Sequence, residues 1–149
     1  MESLLTAIVV WLSANYTLPA SFDHPRIKFV SAIEMNAPVK GGNGSQQQPD
    51  ISATQTSSDI ISFYSNEAKT IYLIDGWTGK TPAELSIVVH EMVHHLQSAG
   101  QLKFACPQER EELAYKAQER WLAQFGEHDL LRDFQMDPFT VLIKSKCFY

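Results

Sequence analysis

His90-Glu91-Met92-Val93-His94 sets two imidazoles four residues apart, with a carboxylate next to the first. On a helix, residues at i and i+4 share one face and stand about 6 Å apart along the axis. His90 and His94 can therefore hold one metal ion between them. Glu91 projects beside that face, placed to touch a water on the metal rather than the metal itself. Two histidine ligands with a glutamate as general base are the parts of a zinc hydrolase. Catalytic zinc takes three protein ligands and leaves a fourth position for water, so a third ligand is required. The next acids in the chain are Glu109, Glu111 and Glu112. Glu111 is favoured over Glu112, because Ala114 and Tyr115 follow it at i+3 and i+4 and a small alanine lets a second helix approach the first. Gln118 and Leu122 continue the same stripe. Glu112 points about 100° away, toward Lys116 and Glu119.

The elements that must position these residues are legible around them. Thr81-Pro82-Ala83-Glu84 reads as a capping box: Thr81 as N-cap, Pro82 at the first helical position and Glu84 three residues after the cap. The helix start is thereby fixed nine residues before His90. Leu85, Val88, Val89, Met92, Val93 and Leu96 place apolar side chains on more than one face, which predicts a buried helix, and Gly100 ends it. Polar groups on a buried helix need partners, and a metal is the simplest one for His90 and His94. A second helix opens at Pro107, carries acids in its first turn and closes at Gly126. Upstream, residues 3–16 have helical apolar spacing, with Pro19 as the stop. Arg26 to Met35 alternates as a strand, with Ile27, Phe29 and Ile33 on one face. The polar run from 39 to 59 predicts a flexible loop, with simple disorder favoured over a lid beside the cleft. Ile60–Ser65 and Thr70–Asp75 form a predicted hairpin turning at Asn66-Glu67, and Gly76 and Gly79 break its second strand. Short helices are expected around His128–Phe134 and over Phe139–Ser145, the latter with Asp137 as cap and Pro138 behind it.

His90-Glu-Met-Val-His94 followed by Glu111-Glu-Leu-Ala114-Tyr115 resembles the gluzincin clan of zinc metallopeptidases. In that clan a glutamate on a helix downstream of HExxH, often in an E-x-x-A context, completes the site. The order helix, strand, hairpin, active helix, glutamate helix is similar to the minimal zincin fold of the minigluzincins. The match covers roughly Ile60 to Phe125. The metzincin extension is absent: Gln97 occupies the position of its glycine and Gly100 that of its third histidine. The resemblance implies a single α+β, zincin-like domain over residues 1–149, with a small, mainly antiparallel sheet on the active-site helix, a glutamate-bearing helix and a helical tail. It implies Zn2+ held by His90, His94 and Glu111, with Glu91 as the catalytic base of a peptidase. It also implies a sheet edge strand that lies over the active helix and pairs with an extended peptide or protein substrate. Tyr115 stands where some gluzincins carry an aspartate that orients a ligand histidine, and its hydroxyl is a candidate for the same task. The tail is shorter than the C-terminal subdomain of larger gluzincins.

Composition narrows the alternatives. The chain has 149 residues, a formal net charge of −5 and no basic stripe, which argues against nucleic acid. No apolar run approaches the roughly 20 residues of a membrane span. Leu4 to Leu12 is as apolar as a signal-peptide core. Glu2 replaces the basic start, however, and no small-x-small site follows, so we read a helix of the mature domain, such as remains once an export signal is removed. Cys106 and Cys147 allow one disulfide, with two separate thiols as the equal alternative; a bridge would favour a periplasmic or secreted location. His95 turns about 100° away from the metal face and reads as a hydrogen-bonded structural residue. His24 and His128 read as surface or turn residues, and Trp77 and Trp121 as core or cleft wall. Tyr115, Tyr72 and the other histidines are further candidates for a second electrophile. The competing function class is a zinc-binding, non-hydrolytic interaction or regulatory domain. Glu91 favours hydrolysis, since a structural site needs no base.

Overall fold

The computed structural model describes residues 1–36, 51–56 and 59–147. The fold is small and mixed α/β. Its elements are α1 (Glu2–Asn15), β1 (Arg26–Val30), α2 (Ala32–Met35), β2 (Ile51–Thr56), β3 (Asp59–Ser65), β4 (Thr70–Ile74), α3 (Pro82–Ala99), α4 (Glu109–Ala123), α5 (Leu130–Phe134) and α6 (Pro138–Ser145). The four strands form one sheet in the order β1-β4-β3-β2. β2 and β3 pair antiparallel, as do β3 and β4, while β1 runs parallel to β4.

The chain is wrapped around α3. Its N-terminus is fixed by Thr81, whose hydroxyl accepts from the Glu84 amide at 3.1 Å. Only half of the expected capping box is made with Thr81. The Glu84 carboxylate instead gathers the Gly79 amide at 2.8 Å and the Thr78 amide and hydroxyl, tightening the turn before the helix. Gly79 takes φ +70° there, and a Cβ on it would meet the Trp77 ring at 2.7 Å. Trp77 closes the turn by donating its indole N–H to the Glu84 carbonyl at 2.8 Å. Every residue from Ser86 to Gln97 is buried. A helix buried on all sides must be covered by more than one neighbour. Against α3 lie Tyr64, Ile71 and Leu73 of the sheet, Leu5, Ile8, Val9 and Leu12 of α1, and Ala114, Ala117 and Leu122 of α4. The two alanines are fully buried, so small side chains do let α3 and α4 approach closely.

Two expectations are corrected. The strand expected from Arg26 to Met35 ends at Val30. Ser31 caps a short helix instead, its hydroxyl accepting from the Glu34 amide at 3.1 Å, and Ile33 is left 84% exposed rather than on the strand's inner face. The competing signal was local: Ser31 and Glu34 have capping-box spacing. The loop expected over 39–59 contains the strand Ile51–Thr56, paired to β3 with a register shift between Thr54 and Gln55. An edge strand needs only its backbone bonds on one side, so it can form from a run with little hydrophobic alternation. The rest of that loop, 39–50 and 57–58, lies outside the described residues, and the lid-or-disorder alternative with it. The hairpin, both major helices and both short tail helices fall where the sequence predicts them.

Cys106, just before α4, is disulfide-bonded to Cys147, just after α6, with the α-carbons 5.8 Å apart. The bridge closes a loop with a sequence separation of 41 and holds the tail on α4. Replacing both cysteines with serine is expected to lower unfolding stability by about 2–4 kcal/mol, by the usual cost of losing a loop of this length. Guanidinium titration with and without reductant checks this: reduced wild type should match the double variant, and the double variant should not respond to reductant.

Candidate metal centre

His90 and His94 lie one turn apart on α3, with their rings 5.1 Å centre to centre. Glu111, in the first turn of α4, crosses to both. One carboxylate oxygen is 2.8 Å from His90 Nε2 and the other 3.2 Å from His94 Nε2. The two histidines are essentially inaccessible, and the Glu111 side chain is 13% exposed. Their ligand atoms lie within 4.8 Å of one another. Glu112 is not part of the group; it turns outward to Lys116 at 3.2 Å and Lys146 at 2.7 Å. Glu109 accepts the Ala105 amide at 2.6 Å. The structure thus brings together His90, His94 and Glu111, the set favoured from spacing.

The far nitrogen of each imidazole is held by a carboxamide. His90 Nδ1 is 2.9 Å from Gln118 Oε1, whose own NH2 donates to Ser86 Oγ at 3.2 Å; Ser86 in turn donates to the Ala83 carbonyl at 2.7 Å. His94 Nδ1 is 3.0 Å from Gln97 Oε1, whose NH2 donates to the Arg110 carbonyl at 3.1 Å. A carboxamide oxygen only accepts, so each Nδ1 carries the proton. Each Nε2 then faces Glu111 with a lone pair. His94 Nε2 is buried and makes no hydrogen bond. Two imidazole lone pairs and a carboxylate cannot share a buried point without a positive charge between them. A proton or a metal ion can supply it. Burial alone would raise the Glu111 pKa, but where the imidazoles are protonated the charges of His94 and then His90 hold it well below the usual carboxylate range. Tetrahedral ligands about 2.0–2.2 Å from a common centre stand roughly 3.4 Å apart. The present atoms, 2.8 and 3.2 Å apart in the two histidine–carboxylate pairs and all within 4.8 Å of one another, bracket that value, so the donor set suits a divalent ion.

Glu91 is fully buried on the same helix, and Ser62 of β3 donates to its Oε1 at 2.8 Å. Tyr115 packs its ring edge-on against His90 at 4.7 Å. Its phenol is pushed well above the usual range by burial and then by the charges of Glu111 and Glu91. The hydrogen bond to His90 Nδ1 comes from Gln118 rather than from the Tyr115 hydroxyl. His95 bridges β3 and the loop before β1, donating from Nε2 to the Asp23 carbonyl at 2.8 Å and taking the Tyr64 hydroxyl at Nδ1 at 3.0 Å. Burial lowers its pKa, in keeping with a neutral structural histidine. His24 pairs with Thr6 and His128 with Asp133, both outside the group. Trp121 packs edge-on against Trp11 of α1 at 5.3 Å, a core contact.

Gln97, Gln118 and Ser62 were not singled out as functional from sequence. Gln97 is at i+3 from His94 and Gln118 at i+7 from Glu111, so helical periodicity carried a signal for both; Ser62 depends on strand register, which gave none.

A family model described as a domain of unknown function (DUF6647) matches residues 1–148. The chain belongs to the DUF6647 family. No curated protein and no solved structure matches it. For this DUF6647 chain, then, the site itself is the ground for a functional reading. Among the described residues, no helix is long and apolar enough to cross a membrane.

Partners on the far nitrogen of a metal-bound histidine typically contribute 10–100-fold to metal affinity. Gln118→Ala should therefore weaken divalent-metal binding by about that factor. Glu111→Ala should abolish binding, and Glu112→Ala should leave it unchanged. Competition against a chromophoric chelator measures all three, and unchanged affinity in Gln118→Ala would remove the orienting role assigned to that side chain.

Proposed function

We propose that this chain is a zinc-dependent peptidase, with a gluzincin-like site in a zincin-like fold. The observation that carries the reading is the meeting of His90 Nε2, His94 Nε2 and the Glu111 carboxylate next to a buried glutamate, Glu91, on the same helix. Two imidazoles and one carboxylate are the donor set of catalytic zinc, and the cavity that His94 lines suits a site that must admit water and substrate. Bound there, zinc would supply Lewis acidity, making a water more acidic and polarising a carbonyl.

The chain's own residues would do the rest. Gln97 and Gln118 keep both imidazoles in the tautomer that offers Nε2. Ser62 holds one oxygen of Glu91. Glu91 accepts a proton from the attacking water and later gives it to the departing amine nitrogen, so the C–N bond breaks to an acid and an amine. Tyr115, kept neutral by its raised pKa, walls the site without adding charge. β2 is an edge strand lying against α3, where the resemblance expects a strand that pairs with an extended peptide. The Cys106–Cys147 disulfide supports an exported location.

Glu91→Gln is expected to lower kcat on a peptide substrate by about 10²–10⁴-fold, the range for losing a general base, with zinc content unchanged. Wild-type protein that holds zinc stoichiometrically but cleaves nothing across a peptide library would instead identify a zinc-stabilised binding domain.

A further inference from the structure

A cavity of about 690 Å³ lies between α4, α5, α6 and the end of α1. Its described lining includes none of His90, Glu91, His94 and Glu111, so it is separate from the metal-binding group. Most of the wall is apolar: Tyr115 and Ala123 of α4, Leu130 and Leu131 of α5, Met136 after it and Val141 of α6. Tyr115 and Ala123 share one stripe of α4, eight residues apart, and the small Ala123 leaves the end of that stripe open. Leu131 is 58% exposed in this wall, an apolar side chain that the described residues do not cover.

Four charged residues stand around the apolar surface: Lys116, Glu119, Arg120 and Asp129. Three of them are engaged. Lys116 pairs with Glu112 at 3.2 Å. Glu119 accepts the Leu130 amide at 2.9 Å, and Asp129 accepts the Arg132 amide at 2.6 Å, so both acids serve the start of α5. Arg120 is the exception. Its guanidinium lies over the Tyr16 ring, 5.9 Å from the centroid, and among the described residues it makes no ion pair and no hydrogen bond. A guanidinium stacked on a ring keeps the N–H donors in its own plane available.

An apolar wall with one unmatched cation beside it is complementary to a molecule with an apolar body and one anionic end. A peptide or a sugar would bury polar groups that such a wall cannot match, whereas an alkyl chain buries none. A carboxylate matches the guanidinium fork through two parallel hydrogen bonds. We propose that this cavity binds a straight-chain alkanoate of about eight to ten carbons, its alkyl chain along the apolar wall and its carboxylate on Arg120. The site is independent of the peptidase reading and stands or falls apart from it.

The test is calorimetric titration of the full, disulfide-bonded chain with hexanoate, octanoate and decanoate below their micelle-forming concentrations, and with 1-octanol. Saturable one-to-one binding is expected, tightening about fourfold per added methylene. Octanoate should bind about tenfold tighter than 1-octanol, the usual gain from a hydrogen-bonded charge. Arg120→Gln should bring octanoate to the level of 1-octanol and leave 1-octanol unchanged. Ala123→Trp, at the exposed end of α4, should fill the cavity and abolish binding of all four compounds. Methyl-labelled methionine spectra of wild type locate the ligand: the Met136 signal should move during the titration and that of Met35 should not. The proposal is overturned by any of five results: no saturable binding, equal affinity for octanoate and 1-octanol, a preference that survives Arg120→Gln, binding that survives Ala123→Trp, or a Met136 signal that stays in place at saturation.

Discussion

Two imidazole lone pairs and a carboxylate meet at a point almost closed to water, and the surrounding fold is shaped by the need to hold them there. Left to themselves, such groups would separate or take up solvent. Here they are prevented from doing so by position. His90 and His94 are one turn apart on a helix buried from Ser86 to Gln97, and Glu111 is delivered by a second helix that approaches through Ala114 and Ala117. Each imidazole is then fixed in rotation by a carboxamide whose own orientation is set by a further hydrogen bond. The outward side of the group is thus specified by residues that never reach it.

The same logic explains why polar side chains are tolerated in the middle of the core. Gln97 and Gln118 are buried, and both of their polar atoms are matched. A matched buried network stiffens its members, while a half-matched one costs more than an apolar replacement. Gln97 also joins two elements, the His94 face of α3 and the α4 backbone at Arg110. A shift in one cannot occur without strain on the other.

How much of this was readable in the sequence depended on whether a residue's role is local. The pairing of His90 with His94, the start of α3 at Thr81 and the meeting of Glu111 rather than Glu112 with them all follow from helical period and capping chemistry, which act within one or two turns. The hairpin followed from its alternating runs. Ser62 could not be found this way, because its contact with Glu91 depends on which strand lies over α3 and in what register. β2 was missed because a serine-, glutamine- and threonine-rich run has no alternating apolar pattern to announce a strand. α2 was missed for the opposite reason: apolar residues across Arg26–Met35 could be read as alternation, and this masked the local capping signal of Ser31 and Glu34. Gln118 was seen as part of a stripe, but its task became visible only once His90 stood opposite.

The sheet order has a consequence for how the molecule assembles. α3 and α4 are joined by the short linker from Gly100 to Gln108 and can meet by closing a small loop. β1, by contrast, lies parallel to β4 and must return across the whole stretch from Val30 to Thr70. Loop-closure entropy makes the first event cheaper than the second, and parallel pairing at long separation is slow to form. His90, His94, Glu111 and the two glutamines belong entirely to the early, local unit. Ser62, which steadies Glu91, arrives with the hairpin. The part of the molecule suited to holding an ion can therefore be in place before Ser62 reaches Glu91, and an ion bound there would lend its binding energy to the folding chain at that earlier stage.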